Sequence, residues 1–292
     1  MDYTKAEQSG CDTVLTGVRH FNPAQTLDCG QAFRWGCVDP AQTYDGDCHY
    51  TGIAHGRRLN VLYLDDNLIL KDVPLSEFET TWSNYFDFSR DYAQLHKYFS
   101  DTADHETMGQ ALAYSPGLRL MKQDPWETLI SFILSQNSNI PRIKKMISSL
   151  CECFGQALPC GGYTFPTPND LASLTPDDLA PIKSGYRAPF LIDAARRVAD
   201  GSFSPAELAH LPSEDIKQAL LKIHGVGPKV AECVLLYGFG RVERYPLDIW
   251  MNRVMAKLYP QGFPKGLSEY SGIAQQFLFH YARMNKEQFV SY

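Results

Sequence analysis

The chain has 292 residues, of which 27 are basic and 33 acidic, giving a formal net charge of −6. Hydrophobic residues make up 44% and charged residues 21%, an ordinary globular composition for a length that suits about two domains. The acidity excludes a protein that coats nucleic acid through its net charge, and no apolar run approaches the roughly 18 residues of a membrane span. The charge is unevenly spread. Residues 39–91, including Asp39 and Asp45, hold ten acids against four bases, whereas residues 217–257 hold seven bases against three acids. Binding depends on the local field, so a basic face for an anionic partner stays open. The N-terminal MDYTKAEQSG is polar, unlike a signal peptide. Without a secretion signal, eight cysteines in so long a chain do not imply a disulfide framework. Cys151, Cys153 and Cys160 have weak metal spacing. No cysteine follows Cys233, which excludes a C-terminal iron–sulfur cluster. No cofactor is expected.

Texture changes near residue 116. Before it, short apolar stretches such as YTGIA (50–54) and LNVLYL (59–64) alternate with turn-forming clusters and predict antiparallel strands. LSEFETTWSNYF (75–86) has helical spacing at Leu75, Phe78, Trp82 and Phe86. After it, helix starts recur. Asp124-Pro125-Trp126-Glu127 supplies a cap, an N1 proline and an N3 acid, and Ser204-Pro205-Ala206-Glu207 repeats the pattern. Thr167-Pro168 and Thr175-Pro176 read as further cap pairs. Helices are predicted over 125–136, 140–154, 189–200, 213–223, 228–238, 249–258 and 268–284. The fold class is therefore α+β, an antiparallel β-rich domain over 1–115 followed by an all-α domain over 116–292.

The most specific stretch is SEDIKQALLKIHGVGPKVAECVLLYGFG (213–240). One helix presents Ala219, Leu220 and Ile223. His224-Gly225-Val226-Gly227 breaks it, His224 reading as structural. Pro228 opens a second helix that turns Val230, Ala231, Val234 and Leu235 inward and ends at Gly238. This is a helix-hairpin-helix. Gly225 and Gly227 allow unusual φ values and close backbone approach, and the second helix's positive end points at the same spot, which suits a phosphate. A plain αα-hairpin without a ligand is the alternative.

With GFGRVERYPLD (238–248) following it, the hairpin resembles the DNA glycosylases that join a helix-hairpin-helix to a Gly/Pro-rich loop and an Asp. In that superfamily a lysine at the place of Lys229 marks bifunctional enzymes, which cleave the base and then nick the strand. An amine nucleophile must shed its proton near neutral pH, and desolvation together with a helix N-terminus disfavours the ammonium. Lys229 is then the candidate for attack on the sugar C1′ and for a Schiff base. A solvated phosphate-binding lysine is the alternative. Asp248, at the start of the helix from Ile249, reads as an N-cap and as the carboxylate that stabilises charge at C1′ or accepts a proton; the two are compatible.

CGQAFRW (29–35), SQNSNIPR (135–142), GYRA (185–188) and AQQFLF (274–279) extend the resemblance over nearly the whole chain, to 8-oxoguanine DNA glycosylases with a TBP-like first domain. That resemblance implies base excision on double-stranded DNA containing 8-oxoguanine, by a monomer with no membrane association. It implies that the Gly30 carbonyl accepts the N7 hydrogen that guanine lacks. Cys233 and Phe279 would sandwich the flipped base, and Gln275 would meet its Watson–Crick edge. Asn137, Arg142, Tyr186 and Arg187 would fill the vacated space and hold the estranged base, with Arg142 favouring cytosine there. Gly225 and Gly227 would bind backbone phosphate, and the carbonyls of Leu221, Ile223 and Val226 would hold a structural cation. Trp250 departs from the pattern, since animal relatives carry a histidine there; an indole N–H donates to phosphate but cannot titrate. An intracellular site is expected, the cytoplasm or nucleoid of a prokaryote or the nucleus of a eukaryote. The ending FVSY carries no basic nuclear signal, which favours the prokaryotic or untargeted reading. The rivals are a glycosylase for alkylated purines and a non-catalytic DNA-binding module.

Overall fold

The computed structural model describes residues 2–38, 47–102 and 105–289; Asp39 and Asp45 of the acidic region lie outside them. Among the described residues, β1 (Lys5–Ser9), β2 (Asp12–Thr16), β3 (Trp35–Cys37), β4 (Cys48–Ala54), β5 (Arg57–Leu64) and β6 (Asn67–Leu70) form one antiparallel sheet in the order β1-β2-β6-β5-β4-β3. The two strands expected from YTGIA and LNVLYL are its β4–β5 pair. Every second residue of β4 is buried, as a half-covered strand requires. Helix α1 (Pro23–Leu27) is capped by the Asn22 side chain. The helical stretch expected at 75–86 comprises α2 (Leu75–Glu77), a π turn (Phe78–Trp82) and α3 (Ser83–Tyr85). It lays Phe78, Trp82, Tyr85 and Phe86 into the apolar cluster on the sheet.

Helices α4 (Tyr92–Thr102) and α5 (His105–Tyr114) follow, then α6 (Pro125–Leu134), α7 (Ile140–Phe154), α8 (Pro168–Ala172), α9 (Ala188–Ala199), α10 (Pro205–Leu208), α11 (Ser213–Leu220), α12 (Pro228–Cys233), α13 (Ile249–Leu258), α14 (Ser271–Met284) and α15 (Lys286–Phe289). The caps at Asp124, Thr167 and Ser204 accept their N3 N–H groups as expected. Thr175-Pro176 begins only a turn: Asp178 accepts from both the N–H and the hydroxyl of Thr175, and Pro181 has no N–H with which to continue a helix. The helix expected over 213–223 ends at Leu220 and runs on as a turn. The one expected over 228–238 becomes a π turn at Val234–Gly238. The one expected from 268 starts as a 3-10 segment, Lys265–Tyr270, before α14. Gly238 does not adopt a left-handed φ; that conformation falls to Gly240, at φ +66°. A Cβ on Gly238 would lie 3.0 Å from Pro125 Cα, so its small size serves the close approach of α6.

Two apolar clusters divide the molecule. Leu15, Leu59, Val61, Leu68 and Trp82 belong to the one on the sheet. Tyr92, Leu95 and Phe99 of α4 belong to the helical one, together with Cys29 and Phe33 from the loop before β3. That loop crosses from the sheet region into the helical core, carrying Gly30 with it. Arg119 ties the halves together. Its fully buried guanidinium pairs with Asp2, donates to the carbonyls of His20 and Asp87, and lies between the rings of Phe88 and Tyr92.

Candidate active site

A cavity of about 490 Å³ opens where α6, α12, α13 and α14 meet the 29–33 loop. It lies within the roughly 300–1,000 Å³ typical of ligand pockets. Gly30, Lys229, Cys233, Asp248, Trp250, Gln275 and Phe279 all line it, so residues from four separate sequence segments converge. Gln275 is only 2% exposed, and its Oε1 has no hydrogen-bond partner. Ser138 Oγ and Arg283 Nη1, on the same wall, are likewise buried without a partner. Buried polar atoms are normally satisfied, so three unsatisfied ones around one cavity mark it as built for a polar occupant.

The Gly30 loop is held from both sides. Gln276, one residue past Gln275 on α14 and fully buried, donates to the Cys29 carbonyl and sulfur at 3.4 and 3.1 Å, and accepts from Tyr237 Oη at 2.6 Å. Gln123 donates to the Gln31 carbonyl at 2.7 Å, while the Gln31 side chain donates to the Arg119 carbonyl at 2.6 Å and accepts from the Met121 N–H at 2.8 Å. The carbonyls flanking Gly30 are thus occupied, and its own has no protein partner among the described residues. Gly30 sits at φ +90°, where side chains are strained, and a Cβ there would lie 2.9 Å from Ile140 and 3.5 Å from Phe279. Backbone and aromatic face therefore meet at one corner.

Lys229 lies in the first turn of α12, half-buried, with Nζ 5.1 Å from the centre of the Phe132 ring. That ring stacks on Tyr237 at 5.3 Å and 10°. Cys233 lies one turn on, and burial pushes its thiol up to about 11, with Lys229 opposing that rise. The thiol is consequently neutral at physiological pH. Asp248 caps α13, with Oδ1 accepting the Met251 N–H at 2.8 Å. One carboxylate oxygen is fixed by the cap and the other remains for the cavity. Trp250 is half-buried beside them, with Arg253 over its ring at 4.9 Å.

At the hairpin the two glycines differ. Gly225 has φ +80°, and a Cβ there would collide with the Phe190 ring of α9. Gly227 has φ −93° and open space around it, so its value is the bare backbone at the start of α12. Gln136 donates to the Gly225 carbonyl at 3.0 Å, joining the hairpin to the loop before α7. In that loop Asn137 is exposed, at φ +47°, and donates to Tyr186 Oη at 3.0 Å. Tyr186 is 52% exposed. Arg142 is also exposed, and its backbone N–H is bound to the Asn139 cap. Arg187 is different. It is buried, bonds the carbonyls of Gln136, Asn137 and Ser184, and lies 4.5 Å from the Tyr186 ring, so it braces the rim from behind. The Ile223 carbonyl accepts the Val226 N–H at 3.1 Å, leaving it one lone pair, and all three carbonyls named for a cation belong to this hairpin turn.

Residues 13–129 match the N-terminal domain of 8-oxoguanine DNA glycosylases, and residues 130–264 match the HhH-GPD superfamily of base excision DNA repair proteins. An N-glycosylase/DNA lyase of Saccharomyces cerevisiae is 30% identical over 260 residues, 81% of this chain and 68% of its own. A probable N-glycosylase/DNA lyase of Methanothermobacter thermautotrophicus is 29% identical over 245 residues, 73% of this chain and 77% of its own. The solved structure of the Clostridium acetobutylicum 8-oxoguanine glycosylase/lyase in complex with double-stranded DNA superposes with a TM-score of 0.90 at 31% identity, covering 98% of this chain and all of that one. The chain belongs to the 8-oxoguanine glycosylase/lyase family. The cavity wall also holds Phe132, Tyr237, Ser138 and Arg283, and Gln276 stands behind it on Cys29; sequence reasoning missed all five. Arg283 follows Gln275 and Phe279 at the same four-residue spacing, a signal that was available. Phe132 and Tyr237 sit in stretches whose sequence reads as ordinary apolar helix and carried none.

Proposed function

We propose that the chain is a bifunctional base-excision enzyme whose glycosylase and lyase steps both run through Lys229, with Asp248 stabilising the charge that develops at the sugar. It removes 8-oxoguanine from duplex DNA. The observation that carries the site assignment is the convergence of Lys229 and Asp248 on a cavity walled by unsatisfied buried polar atoms. A DNA-tethering module needs neither the amine nor the cavity.

In this reading the hairpin N–H groups and the N-terminus of α12 hold phosphate, and the base swings into the cavity. Phe279 and Cys233 take its faces. A neutral thiol and an aromatic ring make an apolar slot that tolerates a flat heterocycle. Gln275 meets the Watson–Crick edge. The Gly30 carbonyl accepts N7–H from the lesion and would face a lone pair in guanine, a mismatch of about 1–3 kcal/mol. The unprotonated amine of Lys229 then bonds to C1′ while the C1′–N9 bond breaks, the base leaving with a proton. The C1′–O4′ bond then breaks, O4′ takes up a proton to become the 4′ hydroxyl, and the nitrogen lone pair closes the cationic Schiff base. Its charge acidifies C2′–H; water takes that proton, a C2′–C3′ double bond forms, and the C3′–O bond breaks to expel the 3′ phosphate. Asp248 acts on the same sugar through the oxygen that the cap leaves over.

Tyr186, Asn137 and Arg142 form the face toward the estranged base, with Arg142 and its guanidinium fork favouring cytosine. Arg187 supports them. Trp250 would donate to a backbone phosphate. The carbonyls of Leu221, Ile223 and Val226 are hard neutral donors that fit a weakly held structural cation, and no chemical step uses it. No helix among the described residues is long and apolar enough to cross a membrane.

Borohydride trapping on an 8-oxoguanine·C duplex tests the central assignment. Wild type is expected to form a covalent adduct and Lys229→Gln none. Trapping retained in that variant would move the nucleophile elsewhere. A panel of lesion duplexes excludes or revives the alkylpurine reading.

A further inference from the structure

Arg283 lies on α14 one turn after Phe279 and two after Gln275, on the face that lines the cavity. Its Nη1 is buried and unpaired, and it lies 3.1 Å from the point that a Cβ on Gly30 would occupy. The guanidinium carbon is 5.9 Å from the centre of the Phe279 ring. No carboxylate within ion-pairing distance offsets the charge among the described residues. Its ionisable neighbours Cys29 and His280 are held neutral by burial, at about 11 and about 4. A buried donor without an acceptor costs stability unless the acceptor arrives with a ligand.

Position along the helix selects that acceptor. Gln275 stands at one end of the slot, Phe279 under the ring, and Arg283 at the other end beside Gly30. With Gln275 on the Watson–Crick edge and Gly30 on N7, the atom beyond N7 is the C8 substituent. That position is a carbonyl oxygen in 8-oxoguanine and a C–H in guanine. We propose that Arg283 is a specificity-determining residue that donates from Nη1 to O8 of the extruded base. The protein then reads both marks of the lesion, the N7 hydrogen through the Gly30 carbonyl and the C8 oxygen through Arg283. Guanine would leave the guanidinium donor desolvated and unmatched. The proposal rests on the assignment of this cavity to the flipped base.

The test is single-turnover excision from an 8-oxoguanine·C duplex by wild type, Arg283→Gln, Arg283→Lys and Phe279→Ala, alongside nicking of a duplex with a preformed abasic site. Loss of one charge-assisted hydrogen bond predicts a fall of roughly 10- to 100-fold for Arg283→Gln on the lesion, with partial rescue by lysine. The loss on the lesion duplex should exceed that on the abasic duplex by about tenfold or more, since no base is present there. Equal losses on both would show a phosphate contact and overturn the proposal. Unchanged excision by Arg283→Gln with impaired Phe279→Ala would remove Arg283 alone. Unimpaired Phe279→Ala would instead overturn the cavity assignment.

Discussion

The cavity proposed for the flipped base and the rim proposed for the opposite strand are built by opposite rules. In the cavity, Gln275 is buried, the Gly30 loop is clamped by Gln276 and Gln123, and unsatisfied polar atoms wait in fixed places. On the rim, Asn137, Tyr186 and Arg142 are exposed, and the one side-chain bond between Asn137 and Tyr186 is easily exchanged for a DNA contact. Preorganised polar groups need no reorganisation when the ligand arrives, whereas exposed side chains must be ordered at that moment. The damaged base should thus be read sharply and the opposite base more permissively. The two surfaces are nonetheless one unit. Gln136 donates to Gly225 in the hairpin and its carbonyl receives Arg187, so the rim, the hairpin and the N-terminus of the lysine helix share one brace.

The largest expected effects lie in the cavity and concern chemistry. Lys229→Gln should abolish borohydride trapping and strand nicking while leaving DNA affinity within a few-fold of wild type. Asp248→Asn separates the two roles of the carboxylate. Asparagine caps a helix as well as aspartate, so the melting temperature should hold while single-turnover excision falls by about 10²–10⁴-fold. Asp248→Ala adds a cap loss of about 1 kcal/mol, visible in thermal unfolding. An Asp248→Asn variant of normal activity would leave the residue as a cap and nothing more.

Gly30→Ala comes next. Its Cβ would enter left-handed backbone space and press on Ile140, so the loop must shift. Excision of 8-oxoguanine should drop on the order of 10-fold or more, by the value of the N7 contact, while nicking of preformed abasic sites falls less. Equal losses in the two assays would mean that the strain spreads to Lys229. For the rim, Tyr186→Ala and Arg142→Ala should change the ratio of excision opposite cytosine to excision opposite adenine by roughly tenfold or less, each being an exposed contact. A larger change would show that the rim is as preorganised as the cavity.

How far the sequence discloses this depends on where the signal lies. The hairpin, Lys229 and Asp248 are legible because their chemistry is local: glycines, a proline and a capping carboxylate at fixed offsets. The cavity wall is not local. Gln275 and Gln276 are adjacent and chemically identical, yet one lines the cavity and the other clamps Cys29, and only the packing of α14 decides which. The π turn after Cys233 is equally silent in the pattern, although it contains the Tyr237 ring stacked on Phe132. Helix α4 carried a readable spacing in Tyr92, Leu95 and Phe99, but it lies in the stretch where strand signals dominated. Its packing with the helical cluster depends on contacts far along the chain, at Phe277.

The smallest expected effect concerns the far anchor of the Gly30 loop. Arg34, four residues past Gly30, pairs at 3.3 Å with Glu127 on α6, the helix that also carries Phe132. Burial raises the Glu127 carboxyl to about 7, with Arg34 opposing that rise. The folded protein therefore retains a proton that the unfolded chain has released above about 4.5. Glu127 contributes stability that is complete below about 4.5 and is lost as pH rises through about 7. His96 and His280, held neutral by burial down to about 4, act in the other direction, since the unfolded chain takes up their protons below 6.5. Subtracting the two stability–pH profiles isolates the carboxyl. Glu127→Gln should remove a negative slope between pH 5 and pH 7 of at most about 1.4 kcal/mol per unit. Activity at pH 7 should change little, because the anchor sits behind the loop rather than in the cavity. A variant that keeps the slope would place the proton elsewhere. One that lost excision along with it would show that the cavity's rigidity extends back to this pair.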